Sequence, residues 1–155
     1  MVLFFLVLAF AIGLAVPLQS AINNSLRAAL RSTTVLAALV SFAVGTVALF
    51  AVSVLTRQPF ASLAELPRVP WWQWLGGVLG AFFVFGTTLL APRIGLAAMI
   101  SLIVAGQVCS SLAFDRYGLL GLPVREISGA RVVGAVLILA GVLLVNFGDR
   151  WLSRA

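Results

Sequence analysis

The stretch that decides the fold is residues 32–56, STTVLAALVSFAVGTVALFAVSVLT, which is followed by Arg57. It contains no charged residue, and its apolar residues fall on all sides of a helix. A helix rises about 1.5 Å per residue, so about 20 residues cross the roughly 30 Å hydrocarbon core of a bilayer. A membrane β-strand would be about half as long and would alternate apolar with polar residues. The stretch is therefore predicted to be a membrane-spanning helix.

Four similar runs occur outside this stretch, each ending near a charged residue. The predicted spans are residues 2–26, 33–56, 71–91, 94–114 and 129–148. The last span is short unless it extends past Arg131, whose long side chain can reach the interface. We therefore predict an all-α, polytopic membrane protein with five transmembrane helices, in which residues 1–155 form one membrane domain.

The composition excludes a water-soluble fold. Apolar residues make up 63% of the chain and charged residues 9%, against about 45–50% and about 25% in soluble domains. The mean hydropathy is +1.19. Because a small soluble domain has a large surface to cover with polar groups, this chain cannot form one. Membrane lipid is the surrounding that the composition predicts.

The charge and the chemistry-bearing residues exclude several function classes. The net charge is +6, but all ten basic residues are Arg scattered along the chain, as expected at the ends of spans and not in a nucleic-acid site. The chain has no His, a single Cys109, no nucleophile elbow and no phosphate loop. We therefore predict no nucleic-acid partner, no enzyme activity, no cofactor and no metal.

The arginines divide evenly between the two sides of the membrane. Those on the side of the N-terminus are Arg57, Arg68, Arg116, Arg125 and Arg131. Those on the other side are Arg27, Arg31, Arg93, Arg150 and Arg154. Orientation normally follows an Arg and Lys excess toward the cytoplasm, and here there is none. The division predicts dual topology, with copies inserted both ways. The alternative is that a few arginines outweigh the others and fix one orientation.

Two oppositely oriented copies would form an antiparallel dimer of ten helices. Such a dimer reproduces with two chains the inverted repeat that many transporters carry in one chain. Inverted repeats place a substrate site near the bilayer midplane and allow alternating access.

Four segments, in this order and at these distances, resemble the YdcZ-like family of the drug/metabolite transporter superfamily. They are PLQSAIN at 17–23, VSFAVGT at 40–46, APRIG at 91–95, and AGQ at 105–107 leading to DRYG at 115–118. The resemblance implies five helices per subunit, a bacterial inner-membrane location and transport of a small solute. It also implies a homodimer, or a heterodimer with a paralogue, and it leaves the substrate unidentified.

Polar residues within the spans are candidates for a substrate pathway. Gln19 and Asn23 lie on one face of the first helix, after Pro17, which removes one helical hydrogen bond. Gln107 and Ser111 share a face of the fourth helix, and Ser101 lies elsewhere on it. Buried amides bind solutes through donors and acceptors. The alternatives are hydrogen bonds between helices and, for Asn23, a helix end already among the lipid headgroups.

The remaining candidates are one carboxylate and four glycines. Asp115, at the end of the fourth span, could couple transport to protons, or could form a structural ion pair with its neighbour Arg116. The candidates for helix packing or a dimer face are Gly76, Gly80, Gly134 and Gly141. The leading functional prediction is a secondary transporter. The alternatives are a small dual-topology channel and a structural subunit that pairs with a paralogue.

Overall fold

The computed structural model describes residues 1–152, and five long helices account for most of them. They are α1 (Val2–Ala29), α2 (Thr34–Leu55), α3 (Leu75–Ile94), α4 (Leu96–Tyr117) and α5 (Gly129–Leu152). These described residues contain no strand, and all five helices are long and apolar enough to cross a membrane. The prediction of an all-α protein with five spans is confirmed. Helices α1, α3, α4 and α5 each continue about one turn beyond the predicted end of the span.

The chain divides into two compact units. The first, Met1–Arg93, contains α1, α2 and nearly all of α3, and the second begins at Ile94 and contains α4 and α5. The boundary falls where Gly95 separates α3 from α4 with a φ of 84°. L-residues with a side chain rarely adopt such a φ, so glycine is the residue that can interrupt the helix here.

Two helices end at an arginine in the left-handed conformation. Arg31 follows α1 with a φ of 47°, and Arg57 follows α2 with a φ of 53°. In each case the next residue donates a backbone hydrogen bond back into the last turn, Ser32 to Arg27 at 3.1 Å and Gln58 to Ser53 at 2.9 Å. This is the Schellman arrangement, in which glycine is the usual left-handed residue.

The segment between α2 and α3 extends to Trp74, because α3 begins at Leu75 and not at residue 71, where the third span is predicted to start. It forms two 3₁₀ helices, Phe60–Arg68 and Trp71–Trp74, each preceded by a proline whose fixed φ suits the start of a turn. The three tryptophans of this segment are exposed, as expected of a belt at the headgroups. Glu65 pairs with Arg68 at 2.7 Å, but both side chains are largely exposed. Such a surface pair contributes at most about 1 kcal/mol.

The interior of the first unit is unusually polar. Its buried polar residues are Ser20, Asn23, Thr34, Thr87 and Thr88. The Ser20 hydroxyl donates to the Thr87 carbonyl at 3.0 Å and so joins α1 to α3. Small side chains allow this approach, and the hydrogen bond supplies attraction that apolar contact with lipid-like neighbours does not.

The second unit is held by contacts between α4 and α5. Met99, Ala105 and Val142 are its buried apolar residues. The Asn146 side-chain amide donates to the Ser101 hydroxyl at 3.0 Å and to the Val142 carbonyl at 2.8 Å. The Asn146 amide thus links α4 to α5 and also donates to a backbone carbonyl of its own helix.

Candidate functional site

A half-open cavity of about 250 Å³ lies among the three helices of the first unit, and most of its lining, including Gln19, is exposed. It is lined by Gln19 from α1, by Ser41, Phe42, Gly45, Thr46 and Leu49 from α2, and by Val84 from α3. None of these side chains is ionisable, and we call this space the neutral cavity. It brings the predicted Gln19 together with residues of the VSFAVGT segment.

Two side chains of the neutral cavity have hydrogen-bonding groups that are not used within the described chain. Within the described residues, neither Gln19 nor Ser41 makes a side-chain hydrogen bond. The Thr46 hydroxyl, in contrast, donates to the Phe42 carbonyl of its own helix at 2.9 Å. The amide of Gln19 and the hydroxyl of Ser41 can therefore bind a polar solute without breaking an existing contact.

Asn23 lies one turn beyond Gln19 and is only 3% exposed. Its side-chain nitrogen Nδ2 is buried and has no hydrogen-bond partner within residues 1–152. The neighbouring Asn24 is satisfied at its own nitrogen, which donates to the Ser20 carbonyl at 3.0 Å. A buried donor without an acceptor costs about 1–3 kcal/mol. The alternative role predicted for Asn23, a hydrogen bond between two helices, is therefore not seen for this nitrogen within the described chain.

Phe42 separates the neutral cavity from an apolar groove. The groove has a volume of about 650 Å³ and is lined by Val35, Ala38, Leu39, Phe42, Val78, Ala81, Phe82 and Phe85. The Phe42 ring lies against Gly80, where an added Cβ would be 3.5 Å from the ring atom Cζ. Gly80 thus accommodates a contact between α2 and α3 of one chain.

The other glycine candidates have open space beside them. A Cβ added at Gly76, Gly134 or Gly141 would meet no atom of the described chain within 4 Å. These positions do not bring two helices of the chain into close contact, and a role at a dimer face stays a prediction.

The polar residues of α4 are not assembled into one site. Gln107 is exposed on the chain and makes no side-chain hydrogen bond within the described residues. Ser111 is also exposed, and its hydroxyl donates to the Val108 carbonyl of its own helix at 3.0 Å. Ser101 is already engaged by Asn146. Asn146 is not among the candidates predicted from the sequence, although an amide inside the apolar run of α5 is a signal of such a role.

The Ser101–Asn146 hydrogen bond should stabilise the α4–α5 pair by a small, measurable amount. In a double-mutant cycle with Ser101→Ala and Asn146→Ala, we expect a coupling of about 0.6 kcal/mol and no more than about 1.7 kcal/mol. The free energy of unfolding in detergent micelles measures it. Ser110→Ala paired with Asn146→Ala serves as the control, because the Ser110 hydroxyl bonds only within its own helix. Equal coupling in both cycles would contradict the assignment.

Asp115 forms its ion pair with Arg131 and not with the neighbouring Arg116. Its oxygen Oδ2 lies 3.4 Å from Nη1 of Arg131, which belongs to the first turn of α5. The Arg125 amide also donates to the Asp115 carbonyl at 2.8 Å, which folds the connection back on the end of α4. Neighbouring side chains on a helix diverge, so a partner from the next element can be closer. The carboxylate is one-third exposed, and its role in proton coupling stays a prediction.

No metal site is evident among residues 1–152, where no three His, Cys, Asp or Glu side chains come together. The chemistry available in the neutral cavity is hydrogen bonding by a neutral amide and hydroxyls. Such groups bind and orient a solute, but they offer no nucleophile paired with a base.

Comparison with known proteins places this architecture in one family. The family described as "Putative inner membrane exporter, YdcZ" matches residues 4–144, a range that reaches from α1 into α5. Inner membrane protein YdcZ of Escherichia coli (strain K12) is 32% identical over 141 residues, covering 90% of this chain and 94% of that protein. No solved structure matches the chain. The family is described as an exporter and not as an enzyme. The chain belongs to the YdcZ-like family and is a multi-pass protein of the bacterial inner membrane.

Proposed function

We propose that the chain is a secondary transporter that moves a small organic solute across the inner membrane by alternating access. The observation that carries the proposal is the neutral cavity, where Gln19 and Ser41 offer unused hydrogen-bonding groups inside membrane-spanning helices. Polar groups at membrane depth are costly, and they commonly mark substrate pathways. The family's description as an exporter supports the same class of function.

The transporter would work as an antiparallel dimer. Gln107 supports this part of the proposal, since an exposed amide near the middle of α4 would face lipid unless another surface covered it. The even division of arginines supports opposite orientations, although Arg154 lies outside the described residues. A second copy, or a paralogue, would supply the covering surface and complete an inverted repeat.

Counterflow in proteoliposomes tests the transport function. Vesicles with and without the protein are loaded with a mixture of polar bacterial metabolites, and efflux is followed by mass spectrometry. Saturable efflux that is accelerated by the same solute outside supports a carrier. Unsaturated ion currents in planar bilayers would instead indicate a channel, and activity only after addition of a paralogue would indicate an obligate heterodimer.

Proton coupling through Asp115 is tested by the same vesicles under an imposed pH gradient. We propose that the carboxylate would exchange its Arg131 partner for a proton during the cycle. We expect the wild type to respond to the gradient and Asp115→Asn not to respond; an unresponsive wild type, or an equal response in both proteins, would remove that role.

A further inference from the structure

The neutral cavity combines one hydrogen-bonding wall with one apolar wall. Gln19 and Ser41 supply the polar groups, and Phe42, Leu49 and Val84 supply the apolar surface. We infer that the solute is a small amphipathic molecule with an uncharged, hydrogen-bonding head and an apolar body. This inference rests on the proposed transport function, and it names the class of substrate that the cavity would take.

The head must be uncharged because the cavity provides no countercharge. No lining side chain is ionisable. The nearest arginine on the same face of α1 is Arg27, eight residues from Gln19 and therefore about 12 Å along the helix axis. An ionised head placed in the cavity would lose its hydration without gaining a direct ion pair, which costs more than burying a hydrogen-bonded neutral group.

The head must also both donate and accept hydrogen bonds. The Gln19 amide offers two N–H donors and one carbonyl acceptor, and the Ser41 hydroxyl offers one donor and two lone pairs. A primary amide matches this set, since it presents a carbonyl to Ser41 and N–H groups to Gln19. One turn beyond, the unpartnered Nδ2 of Asn23 is a buried donor that still lacks an acceptor.

The cavity size limits the solute. A volume of about 250 Å³ lies below the ~300–1,000 Å³ of pockets that hold drug-sized ligands. The body of the molecule is therefore about as large as one aromatic ring with a short chain, which can pack against Phe42 and Leu49.

Three probes with the same apolar body isolate the head group. They are 3-phenylpropanamide, 3-phenylpropanoate and 3-phenylpropylamine, which are neutral, anionic and cationic at pH 7. Binding of tritiated amide to the purified protein in lipid nanodiscs is measured, and the other two compete with it. We expect saturable amide binding and competition by each charged probe that is at least about tenfold weaker. Stronger binding of either charged probe, or no saturable binding of the amide, would overturn the inference.

A substitution at Gly45 tests whether the amide binds in the neutral cavity. Gly45 lines the cavity, and a Cβ added there meets no other atom within 4 Å, so we expect the larger side chain of Gly45→Leu to occupy space in the cavity. Gly13→Leu is the matched control, because this glycine of α1 also has open space but does not line the cavity. We expect amide affinity to fall at least about tenfold in Gly45→Leu and to stay unchanged in Gly13→Leu. Equal affinity in both variants would place the amide elsewhere and overturn the site.

The outcomes separate the inference from the proposed function. Binding of the amide that depends on Gly45, without counterflow of any metabolite, would retain the site and reject transport. Counterflow of a charged metabolite that persists in Gly45→Leu would retain transport and reject the neutral cavity as its site.

Discussion

Gln107→Leu is expected to reduce counterflow by about a hundredfold or more while the protein stays folded. The side chain is exposed and makes no hydrogen bond within the described chain, so replacing it by leucine breaks no hydrogen bond between α4 and α5. Leucine is also a good helix former and is favourable at membrane depth. In the proposed dimer, where a second copy covers Gln107, the amide would hydrogen-bond the solute along its pathway, and leucine would leave that polar group of the solute unpaired. The rate of counterflow and the midpoint of thermal unfolding are measured together.

Ser110→Ala is the matched control for this variant. Ser110 is exposed on the same helix, and its hydroxyl donates only to the Gln107 carbonyl, at 3.1 Å. Its removal should leave transport within about twofold of wild type, since a bond within one helix contributes little beyond the helix. A stable Gln107→Leu protein that transports at the wild-type rate would remove Gln107 from the pathway and leave it a role in packing only.

Reporters fused to the C-terminus are expected to be active on both sides of the membrane. Alkaline phosphatase is active only outside the cytoplasm, and green fluorescent protein exported in unfolded form fluoresces only inside it. Because five arginines lie on each side, neither insertion is favoured, and both reporters should give signal from the same chain. Activity of a single reporter would show one fixed orientation and would contradict the antiparallel homodimer.

Removal of one arginine from either side should then shift the ratio of the two insertion orientations, in opposite directions for the two sides. Arg93→Gln leaves an excess on the side of the N-terminus, which draws that side into the cytoplasm and raises phosphatase activity. Arg125→Gln is the matched control and should raise fluorescence. Both side chains are exposed, so neither change disturbs the interior. Identical reporter ratios in the two variants would mean that the arginine count does not determine orientation.

The sequence predicts the five helices well because the bilayer imposes a strong local rule. Any apolar run of about 20 residues satisfies its backbone only as a helix, whatever its neighbours are. This rule does not apply to residues 57–70, which lie between two predicted spans, and residues 71–74, the predicted start of the third span, form a 3₁₀ helix instead. Pro59 and Pro70 each precede one of the two 3₁₀ helices. The exact conformation also depends on contacts with other parts of the chain, which the hydrophobic periodicity of the sequence does not predict.

The candidate site was only partly predictable, for a different reason. The sequence identifies Gln19 as an amide at membrane depth, whereas the segment around Ser41 stands out only by its resemblance to the family. That these two side chains share one cavity depends on how α1 packs on α2, which is not a property of either segment. The Asp115–Arg131 pair and the Ser101–Asn146 hydrogen bond likewise join residues from different helices. Spacing along the chain cannot reveal such partners.

At the left-handed arginines that end α1 and α2, a substitution that stabilises the fold also changes the charge that orients the chain in the membrane. Glycine at position 31 would relieve the backbone by about 1 kcal/mol, and it would also delete one charge from its side of the membrane. If the chain works as the proposed antiparallel dimer, stabilisation at that single position would bias insertion and reduce the number of oppositely oriented partners. Arg57 lies on the other side, so substituting both arginines by glycine would gain the stability twice and keep the charges equal. Stabilising mutations in this protein are best made in such compensating pairs.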